Sequence, residues 1–192
     1  MLKNPTSTLC YYLLNGNVCA WDGESTPVYS PVLAENGERV CLGASPLMTP
    51  DAAMDAVEAA SSAWDNGRGA WPSAHASVRI NAMRVFVDEM RKWRSDVVRF
   101  LSWEIGKTVP DSEKEFDRTV EYIEATILEY ERLDAGSQHI DAAGGVLAKT
   151  KRAPLGVCLC MGPFNYPLNE TYTTVSPILI KVDHGGFSAQ AT

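Results

Sequence analysis

The chain has 192 residues, 45% of them apolar and 21% charged, the make-up of a soluble globular protein long enough to bury a core. Its formal net charge of −7 argues against nucleic acid as a partner, because that needs a basic patch or stripe. No apolar run reaches the roughly 20 residues that cross a bilayer, so no membrane partner is expected either.

The first fifty residues read as strands and turns. Tyr11-Tyr12-Leu13-Leu14 and Val18-Cys19-Ala20-Trp21 flank Asn15-Gly16-Asn17, and Asn-Gly between apolar runs predicts a hairpin. Extended pieces at Pro27 to Leu33 and Arg39 to Leu42 surround Asn36-Gly37. Thr49-Pro50-Asp51 then opens a helix by cap, first-turn proline and acidic start. Met54, Val57, Ala60 or Ser61, and Trp64 recur along it at helical spacing, and Asn66-Gly67-Arg68-Gly69 stops it.

A second helix is predicted from Ser77 to Trp93, with Ile80, Met83, Phe86, Val87 and Met90 on one face. Ser95-Asp96 restarts a helix that Gly106 closes. Asp111 starts a longer one, striped by Phe116, Val120, Ile123 and Ile127 and ended by Gly136. Gly144-Gly145 opens a strand over Val146 to Arg152, Pro154 breaks it, and a strand over Leu155 to Met161 follows. A last helix runs from Pro167 to about Ile180. Strand, loop and helix in that order begin an open α/β sheet, whose ligands bind at the carboxyl ends of the strands.

The loop after that strand is "GPFNYPLNE". Pro163 and Pro167 restrict the backbone around Asn165. An amide held rigidly there could stabilise a developing oxyanion. On spacing alone, capping of the following helix is the more ordinary use of such an asparagine. Arg118 lies roughly 200° round its helix from Phe116, so it faces away from the apolar stripe. Its readings are a solvated side chain pairing with Asp117 or Glu121, or an anion clamp on a cleft wall. Glu104 and Lys107 read as a helix end, with Lys107 complementing the dipole. Cys158 and Cys160 share one strand face and are expected to pack in the core. With only three histidines, in separate segments, a zinc set is not assembled. Five cysteines at irregular spacing, with no secretory leader pattern, read as free thiols of a cytoplasmic protein.

"WEIGK", "EFDRTVEYI" and "RAPLGVCLCMGPFNYPLNETYTT" resemble the N-terminal part of an aldehyde dehydrogenase. Within that superfamily they most resemble the NADP-dependent, non-phosphorylating glyceraldehyde-3-phosphate dehydrogenases. The resemblance implies an α/β fold, a helical block plus the start of a Rossmann-like sheet, present here incompletely. It implies oxidation of an aldehyde, glyceraldehyde 3-phosphate, to the acid with NADP, NAD being the alternative. A cysteine thiolate attacks the aldehyde, hydride passes to the nicotinamide, and a glutamate-activated water releases the acid. Asn165 matches the family's oxyanion donor, and Tyr166 and Arg118 match contacts to the substrate phosphate. Met161, Gly162, Pro163 and Phe164 fall near the nicotinamide end of the cofactor. The parent is expected to be a homo-oligomer, with the Val146 to Arg152 region as its assembly arm.

The resemblance runs, with falling strength, from the Asn15-Gly16 hairpin to about Ile180, and residues 1–180 are expected to form a partial N-terminal, cofactor-binding domain. Residues 181–192, "KVDHGGFSAQAT", carry no family motif and are expected to be a divergent tail left by truncation or frameshift. The family's nucleophilic cysteine and general-base glutamate have no counterpart here. The isolated chain is therefore expected to be inactive, and the other reading is an inactive fragment or interaction module that docks on full-length subunits. The Leu155 to Met161 strand is expected to lack sheet partners.

Overall fold

A computed structural model describes residues 10–136, 140–149, 155–180 and 184–190. Strands β1 (Tyr11–Leu14) and β2 (Asn17–Ala20) pair antiparallel across a two-residue turn. Asn15 and Gly16 both take positive φ, 50° and 76°, the conformation that matches a turn to the twist of its strands. Strands β3 (Ser25–Leu33) and β4 (Arg39–Pro46) form a longer, bulged hairpin. Buried Ser30 donates from its hydroxyl to the Trp103 carbonyl and so ties this hairpin to the helical block.

Helix α1 (Pro50–Trp64) starts as the sequence predicts: the Thr49 hydroxyl accepts from the Ala52 amide at 3.2 Å. Its apolar stripe holds only at Ala60 and Trp64, which are partly covered. Met54 and Val57 are exposed, and the partly covered face is Ala52, Ala53, Ala56, Ala59 and Ala60. Small side chains there let the helix pack closely on strands introduced below. A 3-10 turn (Asp65–Gly67) and the one-turn helix α2 (Ala70–Ser73) follow.

The core lies among α3 (Ala76–Lys92), α4 (Arg94–Ile105) and α5 (Val109–Gly136). Ile80, Met83, Val87 and Met90 of α3 meet Val98 of α4 and Phe116, Val120, Ile123 and Ile127 of α5. These are the stripes that the periodicity predicts. Helix α5 begins two residues earlier than expected, because Pro110 is tolerated in a first turn. Gly144-Gly145 does not open a long strand. Both glycines take positive φ, 58° and 79°, and form the turn between β5 (Asp141–Ala143) and β6 (Val146–Ala148). Residues 150–152 of the expected strand lie outside the described residues.

Strand β7 (Val157–Gly162), helix α6 (Pro167–Ile180) and strand β8 (His184–Gln190) complete the chain. β7 and β8 pair in parallel, from Val157↔His184 to Gly162↔Gln190, so the three elements make a βαβ unit. This corrects the expectation that β7 lacks a partner: part of the divergent tail supplies one. β8 also packs against α1 and α6.

Helix α6 also docks on α3 and α5. It has no basic residue in its last turn, and the helical block provides the donors instead. Buried Arg79 of α3 donates from Nε to the Ile180 carbonyl at 3.1 Å and from Nη2 to the Tyr130 hydroxyl at 2.8 Å. Trp71 Nε1 donates to the Leu179 carbonyl at 3.1 Å. A cation at the carboxyl end of a helix complements its dipole.

Candidate active site at the carboxyl end of the first parallel strand

Gly162 ends β7, and a side chain there is excluded by packing. A Cβ at this position would stand 2.2 Å from Thr171 Oγ1 and 3.4 Å from the Thr171 amide. The glycine lets α6 lie directly on the strand. Pro163, Phe164, Asn165 and Tyr166 then cross the rim of the sheet, all exposed.

Among the described residues nothing bonds the Asn165 amide, so it does not cap α6. The cap comes from elsewhere. The Tyr166 carbonyl accepts from Glu170 at 3.1 Å. The Glu115 side chain of α5 accepts, at one oxygen, from the Leu168 amide at 3.2 Å and the Asn169 amide at 3.3 Å. Pro167 has no amide hydrogen to satisfy. With the capping duty discharged by Glu115, the Asn165 side chain faces solvent with both donors open.

Glu115 is buried, its side chain 1% exposed, and its other oxygen meets the ammonium of Lys107, itself 15% exposed. Lys107 therefore does more than follow the end of α4. Its Nζ also sits 3.7 Å from the centre of the Tyr166 ring, a cation–π contact. Thr119, one turn further along α5, lies 3.4 Å from Asn169 Oδ1. The segments "EIGK", "EFDRT" and "NYPLN" thus meet at one point.

Arg118 is exposed, facing away from the core as its helical position predicts. Neither predicted pairing forms. Asp117 is held by Arg94 through two bonds of 2.8 and 2.9 Å, which keep its carboxyl below the ordinary aspartate range. Among the described residues Arg118 has no ionic partner. It follows Glu115 by three positions, so it sits one turn from the carboxylate that grips α6.

Behind the loop, a cavity of about 350 Å³ lies between α4 and α6, lined by Phe100, Leu101, Glu104, Leu168, Thr171 and Tyr172 among others. Glu104 is exposed as a residue, but partial desolvation at this cavity pushes its carboxyl above the ordinary range, and burial does the same to the Tyr172 phenol. Cys160 is buried and its thiol is pushed up by burial, in keeping with a packing role. No metal-binding cluster occurs among the described residues.

The first turn of α6 bears on cofactor binding. In doubly wound sheets the pyrophosphate rests on the amides of such a helix N-terminus. Here Glu115 and the Tyr166 carbonyl take them all. Met161 and Phe164, by contrast, present exposed apolar side chains at the strand end, which suits a flat ring rather than a phosphate.

The model of the aldehyde dehydrogenase family matches residues 21–181. The chain belongs to the aldehyde dehydrogenase family. Among curated members, the NADP-dependent glyceraldehyde-3-phosphate dehydrogenase of Streptococcus equinus is 30% identical over 162 residues, covering 82% of this chain and 32% of that one. The N-succinylglutamate 5-semialdehyde dehydrogenase of Novosphingobium aromaticivorans is 32% identical over 117 residues, covering 59% and 24%. In structure, the succinate-semialdehyde dehydrogenase of Burkholderia pseudomallei superposes with a TM-score of 0.79 at 23% identity, over 97% of this chain and 36% of that one. The NADP-dependent glyceraldehyde-3-phosphate dehydrogenase of Bacillus halodurans, complexed with NADP, gives 0.74 at 24% identity, over 96% and 37%. These neighbours share the fold of this chain. The chain spans a third or less of the length of these curated relatives, and their differing substrates leave the family, not the substrate, as the common ground.

Sequence reading missed Glu115. A signal was present: Ser112, Glu115 and Thr119 share the buried face with Phe116 and Val120, so a carboxylate stands on the inner side of a core helix. What it grips lies 53 and 54 residues away and is not visible in the helix itself.

Proposed function

We propose that this chain carries the oxyanion-donor and phosphate-contact part of a site that oxidises a phosphorylated aldehyde, glyceraldehyde 3-phosphate, to the acid with NADP, NAD being the alternative. The observation that carries this reading is the Asn165 amide: exposed, unbonded and mounted on a loop whose helix is capped by another residue. Asn165 donates to the aldehyde oxygen as charge builds on it, an effect typically worth about 2.7–4 kcal/mol of barrier. Arg118 and the Tyr166 hydroxyl hold the substrate phosphate. Met161, Gly162, Pro163 and Phe164 adjoin the nicotinamide end of the cofactor, which supplies the hydride acceptor when bound. The cofactor's phosphates are bound away from α6, whose first-turn amides are occupied.

Hydride release needs a nucleophile on the aldehyde carbon, and the resemblance assigns that role to none of the five cysteines. This chain by itself is expected to produce no NADPH from glyceraldehyde 3-phosphate above a mock preparation. Binding is the direct test. Calorimetric titration with the product acid, 3-phosphoglycerate, should give saturable binding that Arg118→Leu abolishes and Asn165→Ala weakens. Absence of binding, or binding indifferent to Arg118→Leu, would overturn the reading.

A second reading, an interaction module that docks on full-length subunits, is favoured by a separate observation. Val157, Leu159 and Met161 alternate along β7 and are all exposed, as are Leu155 just before it and Val146 and Leu147 of β6. Pull-down of a full-length aldehyde dehydrogenase subunit by this chain, lost in Leu159→Lys, would select it.

A further inference from the structure

The Lys107–Glu115 pair has no part in the chemistry proposed above, yet it joins the helix that carries Arg118 to the loop that carries Asn165 and Tyr166. We propose that Glu115 is a positioning residue that sets the register between Arg118 and the Asn165–Tyr166 loop, with Lys107 as its counter-ion. This rests on the roles given above to Arg118 and Asn165.

A carboxylate that is 1% exposed is tolerated only when paired and fully hydrogen-bonded. Glu115 meets that condition in one way. Its Oε2 takes the Lys107 ammonium, and its Oε1 takes the Leu168 and Asn169 amides. Those amides open a helix, where the dipole favours negative charge. The ammonium in turn lies on the Tyr166 ring at 3.7 Å. One side chain therefore joins the segment after α4, helix α5 and the loop that leads into α6. Since Arg118 follows Glu115 by less than one helical turn, the phosphate contact and the oxyanion donor are referred to the same point.

Buried pairs add little to stability relative to apolar replacements of similar volume. The pair's worth is therefore in placement, and the test must read placement. Two local signals are available in the 192-residue chain by NMR. The Leu168 and Asn169 amides should be protected from exchange, and the Lys107 ε-methylene protons should be shifted upfield by the Tyr166 ring.

In Glu115→Gln, which keeps shape and loses charge, those two amides should exchange about tenfold faster or more, and the upfield shift should vanish. Core amides at Val87 and Ile123 should change far less. Lys107→Met should speed exchange at the same two amides, and Lys107→Arg, which keeps the charge and can stack on the ring, should restore their protection and shift its own δ-methylene protons upfield. Unchanged protection and shift in Glu115→Gln, or a uniform acceleration across the core, would overturn the proposal. Failure of 3-phosphoglycerate to bind the wild-type chain would sink the functional reading while leaving these signals as they are, so the two failures are told apart.

Discussion

Glu104 is an exposed residue, yet the cavity between α4 and α6 partly desolvates its carboxyl. Its carboxyl is pushed above the ordinary glutamate range by desolvation, and among the described residues it has no ionic partner. The unfolded chain gives up this proton in the ordinary range, and the folded chain holds it to higher pH. Stability should therefore fall as pH rises through the window between the two and stay level above it. Glu104→Gln should raise the melting temperature at neutral pH, and the gain should disappear below the ordinary glutamate range. A gain that is equal at both pH values would mean that shape, not charge, is responsible. Arg79 is the opposite case, a buried cation whose donors are spent on the Ile180 and Ala74 carbonyls and on Tyr130. Arg79→Met leaves those groups without donors and should cost about 2–3 kcal/mol in denaturant unfolding.

At the scale of the element, α6 is placed by three fittings: Glu115 at its start, Arg79 and Trp71 at its end, and Gly162 beneath it. The last can be isolated. Gly162→Ala puts a methyl 2.2 Å from Thr171 Oγ1 and should cost about 1–3 kcal/mol. The remaining approaches are 3.3 Å to Thr171 Cβ and 3.4 Å to its amide. Most of the loss should therefore be recovered in the Gly162→Ala/Thr171→Ala pair, measured as a double-mutant cycle. Which elements were legible follows the same logic. The α5 stripe and the Asn15-Gly16 turn could be read because each is a local pattern with one outcome. Met54 and Val57 misled because the face of α1 that packs is made of alanines, which a search for large apolar residues passes over. β8 was not legible because a parallel partner is defined only after the crossover helix has folded. The Asn165 loop stood out by its prolines. Glu115 did not, since its function depends on which helix end arrives beside it.

For the whole molecule, the outer face of β7 is the feature to explain. Parallel sheets are ordinarily covered on both faces. Here α6 covers one, and Leu159 and Met161 remain 58% and 64% exposed on the other. Apolar side chains in such a row favour association. Sedimentation velocity on the 192-residue chain should show self-association that rises with concentration, and Leu159→Lys should shift it towards monomer. A wild-type chain that stays monomeric at all concentrations would show that this face tolerates water. The central claim is that Asn165 and Arg118 address two ends of one phosphorylated aldehyde. The measurement that tests it most directly is an NMR titration of the chain with glyceraldehyde 3-phosphate and, separately, with inorganic phosphate. The aldehyde should move the Asn165 side-chain amide and the Arg118 Nε–H along one binding curve, and phosphate should move Arg118 alone. An Asn165 amide that stays still at saturation, or moves equally with phosphate, would contradict it.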